Sequence, residues 1–207
     1  MTDSLYLSVC SHFRLEVNTI LSEYEHLKVI PLFYHPFCIF RSLSSKMITK
    51  TLENIPDNCI LNLLTGCMID KHDLNENQKR IVHKNEHSCF YFLLNSEMVD
   101  ELTAKGNYLI SPGWLSHWRE YLKYWGFSQE LAVEFFKESA RQLVLLDTGV
   151  IPDIEQEMQA FAEYISLPFQ IIFTGLSHFR LYLNNMINSW LFSQKKQAKS
   201  ENYLEVQ

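Results

Sequence analysis

The chain lacks a surplus of positive charge: 18 Lys and Arg stand against 24 Asp and Glu in 207 residues, for a net charge of -6. A broad phosphate-binding face needs the opposite balance, which removes nucleic acid from the expected partners. No run of about 18 apolar residues occurs. Met1-Thr2-Asp3-Ser4 opens the chain without the basic and then apolar stretches of a secretion signal. The expectation is a soluble, cytoplasmic protein with no membrane partner. Five cysteines is an odd number, and cytoplasmic thiols stay reduced, so no disulfide framework is expected. Also missing are a CxxC pair, a GxGxxG or P-loop turn, and the clustered oxygen ligands of a magnesium or calcium site.

What is present is ample packing material. Hydrophobic residues make up 47% and aromatics 14%, too rich for disorder. A chain of this length buries a core unaided, so any metal would serve chemistry rather than folding. Leu5 to Cys10 reads as a strand, and Phe13 to Tyr24 carries apolar residues at helical spacing. Leu27 to Phe33 is a second strand, with Pro31 suited to an edge, and a helix is expected from Phe37 to Leu52. Cys59 to Leu64 is a continuous apolar run ending at Thr65-Gly66-Cys67. A brief strand at Ile81-Val82 leads to His87-Ser88-Cys89 and a helix from Phe90 to Ala104 capped by Ser88.

The pattern continues with a strand over Asn107 to Ile110 and a tight turn at Ser111-Pro112-Gly113-Trp114. A helix striped with Trp114, Trp118, Tyr121 and Trp125 follows; at that spacing the stripe reads as packing rather than as a stacking platform. Ser128 caps a helix to Ala140, and Gln142 to Leu146 has the apolar run of a central strand, ending at Asp147-Thr148-Gly149. Asp153 opens a helix to Ile165, Pro168 to Phe173 is a last strand, and His178 to Phe192 a last helix. Strands alternating with helices imply an α/β fold: a mostly parallel open sheet with helices on both faces. Residues 1–193 read as one domain, with a division near residue 105 into two Rossmann-like halves as the alternative. Residues 194–207 form a polar tail, disordered or a helical extension.

In such folds ligands bind at the carboxyl edge of the strands. Cys10, Cys67 and Cys89 each fall at a strand end or helix start there, and His35 occupies an equivalent place. Thiolate and imidazole donors suit zinc or an iron–sulfur cluster, so these four residues are the candidate metal ligands. Each thiol alone reads more readily as a small buried hydrophobe than as a ligand, a reading that fits Cys38 and Cys59 best; it is Cys10, Cys67 and Cys89 taken together that point to a site. Trp114 could wall the pocket, and Asp147 and Thr148 could hold a cofactor edge, against turn and cap roles for the same residues. Cys89 at a helix start beside His87 offers a separate idea, an activated nucleophile.

Taken in order, Val9-Cys10 with Glu16, Tyr34-His35-Pro36, Thr65-Gly66-Cys67, His87-Ser88-Cys89, Tyr108 through Trp114, Leu146 through Gly149 and Thr174-Gly175 resemble a prokaryotic family known as domain of unknown function 1638. The resemblance covers roughly residues 5 to 190. Its members keep company with corrinoid-dependent methyl-transfer systems and regulatory proteins, which implies metal or cofactor biochemistry. Met68 stands where the family pattern has glycine, and Ser88 where it has an acid. The donors remain in place, and the departures favour binding over turnover. Two functions follow as expectations: a metal- or iron–sulfur-binding protein acting on or sensing a small molecule or cofactor, or a non-catalytic sensory domain for a regulatory protein partner. Whether the chain is an enzyme stays open.

Overall fold

The computed structural model describes residues 4–40, 50, 60–65, 81–85 and 88–204. Its seven strands among these residues are β1 (Leu5–Cys10), β2 (Val29–Tyr34), β3 (Ile60–Thr65), β4 (Ile81–Asn85), β5 (Asn107–Ile110), β6 (Gln142–Asp147) and β7 (Phe169–Phe173). Every pair is parallel. They form two sheets, ordered β2-β1-β3-β4 and β5-β6-β7, where a single sheet was one expectation. The α/β class is thus present, with the sheet change falling between Asn85 and Asn107. Pro31 lies in an edge strand, where its missing N–H interrupts no central ladder.

Among the described residues the bounded helices are α1 (Arg14–Leu21), α2 (Ser96–Ala104), α3 (Pro112–Leu115), α4 (Trp118–Tyr124), α5 (Gln129–Ser139), α6 (Ile154–Ile165) and α7 (Ser177–Leu204). Residues 37–40 and 50 are helical too, and the rest of the helix expected from Phe37 to Leu52 lies outside the described residues. Ser128 caps α5 by accepting from the Leu131 N–H at 3.3 Å, as its spacing implies. The helix expected over Phe90 to Ala104 is divided instead. Ser88 caps a four-residue 3-10 turn, Cys89–Phe92, and α2 starts afresh with Asn95 accepting from the Met98 N–H at 2.9 Å. The aromatic helix is likewise two pieces, α3 and α4. The last helix runs on to Leu204, so the described part of the polar tail continues α7.

β6 explains why the run Leu143 to Leu146 is apolar without alternation: all four side chains are fully buried. Leu143 and Leu145 join a cluster with Trp114, Trp118, Phe136 and Phe161. Val144 and Leu146 point the other way, into a cluster that also holds Leu7 and Val9 of β1 and Phe179 of α7. One strand therefore serves two cores, and the second core fastens one sheet to the other. Phe13, edge-on to both Phe92 and Phe179 at 5.9 and 5.7 Å between ring centres, sits inside it. No helix among the described residues is long and apolar enough to cross a membrane.

The first turn after β1, the 3-10 segment Ser11–Phe13, lies against the start of α3. A Cβ placed on Gly113 would come 1.9 Å from the His12 carbonyl oxygen. That neighbour is backbone and cannot swing aside. Gly113→Ala is expected to cost about 3 kcal/mol, read as a drop in urea midpoint. Gly126→Ala, where φ is +74° and nothing lies within 4 Å, should cost only about 1 kcal/mol through backbone strain. Equal losses at the two glycines would show that the rim contact is not tight.

Candidate functional site

Where the chain leaves β1, two polar side chains are taken out of water. His12 is 7% exposed, and its Nε2 lies 2.9 Å from the Tyr121 hydroxyl on α4. Glu16, one turn further on in α1, has no exposed surface at all. Its Oε1 accepts a 3.0 Å hydrogen bond from the Thr148 hydroxyl at the end of β6. Its Oε2 is buried and has no hydrogen-bond partner among the described residues. Burial pushes the Glu16 carboxyl above its ordinary value; bonds from the backbone and from Thr148 oppose this, and Asp147 adds repulsion.

Two cavities flank this rim. The first, about 650 Å³, is lined by Cys38, Cys89, His12 and Ser111 among aromatic walls that include Tyr108 and Trp114. The second, about 580 Å³, is lined by Glu16, Arg14, His35, Gly113 and Tyr121, again with His12. Among the described residues His12 alone belongs to both linings. The thiols leave a mark on the tyrosines. Burial, and after it the neighbouring Cys38 and Cys89, raises the Tyr108 hydroxyl to about 12. Burial, then Cys38, Cys10 and Glu120, raises Tyr121 further. Both phenols therefore stay protonated at any ordinary pH.

The residues singled out from sequence are distributed as follows. Cys89 and Trp114 line the first cavity and His35 the second. Cys10, at the end of β1, is buried beside Tyr121. Cys67 and His87 lie outside the described residues. Among the described residues, no three His, Cys, Asp or Glu side chains are placed to share a metal ion. Thr148 is engaged with Glu16. Asp147 closes a turn, its carboxylate accepting from the Gly149 N–H at 2.8 Å and its carbonyl from the Thr174 N–H at 2.8 Å. Of the two supports for Cys89 as an activated nucleophile, the helix start is weakened, since a four-residue 3-10 turn supplies little of the dipole of a long helix, and His87 lies outside the described residues.

Two participants escaped the sequence reading. Cys38 fits a core position by sequence, yet it is exposed and lines the first cavity. Its neighbours Phe37 and Ile39 take the buried positions instead. The signal was Pro36: a helix opening there sets Cys38 in the first turn, at the strand edge where sites form. Glu16 entered only as part of a motif, because nothing local announces a bond to a residue 132 positions away.

A profile of a family described as Protein of unknown function (DUF1638) matches residues 14–183. No curated protein matches the chain.

The Glu16 carboxyl is raised from 4.5, so folding favours its protonated form. The stability this gives is whole below 4.5 and is lost as pH rises through the higher folded value. Wild type should therefore lose stability relative to Glu16→Gln as pH rises above 4.5, measured as urea midpoints. Parallel curves for the two proteins would show that Glu16 titrates as it does in the unfolded chain.

Proposed function

We propose, from the premise that this chain belongs to the family of unknown function DUF1638, that it binds a small molecule or cofactor between the carboxyl rims of its two parallel sheets. The observation that carries the reading is the first cavity. It brings Cys38 and Cys89, far apart in sequence, together with His12 in one space walled by Tyr108 and Trp114. Its volume suits a ligand of small-cofactor size, and its walls are mainly apolar with a few polar groups, the usual make-up of such sites. The Tyr108 hydroxyl stays protonated, and the thiols are the soft edge of the site. Because the thiols must stay reduced to act, a reducing compartment such as the cytoplasm is part of the proposal.

The thiols favour a second reading, in which zinc or an iron–sulfur cluster is part of what is bound. The donors described here are too few for a complete site, since no three of them are placed around one ion. A metal would need further ligands, from the protein or from the bound molecule. A regulatory protein partner is the alternative if the cavity holds nothing.

Native mass spectrometry of protein purified without oxygen separates these. The expected result is a bound species in wild type that is lost in the Cys38→Ser, Cys89→Ser double variant and retained in Cys10→Ser. The mass and a metal assay then tell an organic ligand from zinc or iron. Folded wild type carrying no bound species, with Cys38 alkylated as fast in cell-extract filtrate as in buffer, would sink the ligand-binding reading and favour the protein partner.

A further inference from the structure

Among the described residues four strands lie at sheet edges: β2, β4, β5 and β7. An open edge is a template for a further strand, and proteins blunt it with proline, charge, shortness or cover. In β2 the Lys28 carbonyl accepts from the Leu5 N–H at 2.9 Å, so Val29, Pro31 and Phe33 turn their backbone outward and Pro31 strips a donor from the middle of the edge. β4 carries Lys84. β5 has four residues, of which Asn107, Tyr108 and Leu109 line the first cavity. β7 has none of these devices. Its sequence Phe169-Gln170-Ile171-Ile172-Phe173 is rich in β-branched and aromatic residues, and no Asp, Glu, Lys or Arg occurs from Tyr164 to Phe179. Phe173 is 73% exposed and Phe169 37%.

The hydrogen bonds to β6 fix which backbone groups of β7 are open. The Leu143 N–H donates to the Pro168 carbonyl at 2.9 Å, and the Thr174 N–H donates to the Asp147 carbonyl at 2.8 Å. A parallel ladder engages alternate residues, so Gln170 and Ile172 also face β6, while Phe169, Ile171 and Phe173 direct N–H and C=O away from the sheet. Among the described residues no backbone group pairs with them there. Pro168 faces β6, so its missing N–H leaves the outer edge whole. We propose that this edge is an interface with a second copy of the chain, β7 pairing antiparallel with β7 about a two-fold axis at Ile171. That register engages all three outward residues: Ile171 opposes Ile171 of the second copy, and Phe169 opposes Phe173 of the second copy on either side. Two aromatic cross-strand pairs then flank the isoleucines on one face. The occupant is a second copy because the edge is self-complementary in this register and neutral. Two chains of net charge -6 meet here with no charged side chain on either strand. No residue of β7 lines either cavity, so the interface does not rest on what they hold.

The test is analytical ultracentrifugation of the full chain together with hydrogen exchange of its backbone amides. Wild type should be a dimer at about 100 μM. In that dimer the Phe169, Ile171 and Phe173 amides should exchange as slowly as those of Gln170 and Ile172, which β6 protects in any case. Phe169→Lys with Phe173→Lys sets like charges opposite each other across the axis and should weaken the dimer about a hundredfold, freeing the first three amides only. Phe169→Glu with Phe173→Lys sets opposite charges in the same places and should dimerise about as wild type does. If either double variant does not fold, as read by circular dichroism, the amide pattern of the wild-type dimer decides alone. The proposal is overturned if wild type sediments as a monomer at about 100 μM, which leaves a strand of another protein as the partner of this edge. It is equally overturned by a dimer in which the three outward amides exchange freely, or by folded double variants that dimerise to the same extent.

Discussion

The backbone contact between His12 and Gly113 is the constraint on which the rest of the molecule depends. Parallel sheets place their binding edges at the carboxyl ends of the strands, and here two such edges from separate sheets are pressed together. The turn after β1 meets the start of α3 so closely that no side chain fits between them. Around that point of contact the two rims diverge, and the diverging space on either side is the pair of cavities. The arrangement is reinforced by the bond from Thr148, at the end of β6, to Glu16, just beyond the end of β1. It is reinforced again by the shared core in which Leu7 and Val9 of one sheet pack with Val144 and Leu146 of the other.

Burying Glu16 with one oxygen unmatched works against folding, by about 1–3 kcal/mol for the orphaned atom. The other such atom among the described residues, Trp190 Nε1, shows why location matters. Trp190 sits in an apolar cluster with Leu5 and Ile187 and borders neither cavity. A stray indole N–H there is a packing compromise of a large side chain. A carboxyl is different: an apolar side chain would fill the same place with less penalty, and Glu16 stands in the wall of a cavity with Thr148 bonded to its other oxygen. Perturbed buried acids at a cavity wall are a recognised mark of function rather than of stability.

What could be read in the sequence was local. The run Leu143 to Leu146 announces a strand covered on both faces, and Ser128 announces a helix start, because each depends on neighbours within a few residues. The division of the expected helix at 90–104 shows the limit. Phe90 to Phe92 continue a helical apolar pattern, but Phe92 is drawn against Phe179 and Tyr182 of the distant α7, and Asn95 offers a second cap that restarts the helix. Gly113 was legible as turn chemistry beside Pro112, whereas its actual requirement is the approach of a backbone about a hundred residues earlier in the chain. Cys38 shows the same limit: burial of thiols is a sound average, and only the tertiary fold says which side of a first helical turn faces a cavity.

The two cavities are not independent pieces of chemistry, because one imidazole stands between them. His12 lines both, and its Nε2 shares a hydrogen bond with Tyr121, whose hydroxyl also feels Cys38 and Cys10. A hydroxyl that stays protonated can donate to a neutral imidazole nitrogen or accept from a protonated one. The His12–Tyr121 pair can therefore reverse its bond without either side chain leaving its place.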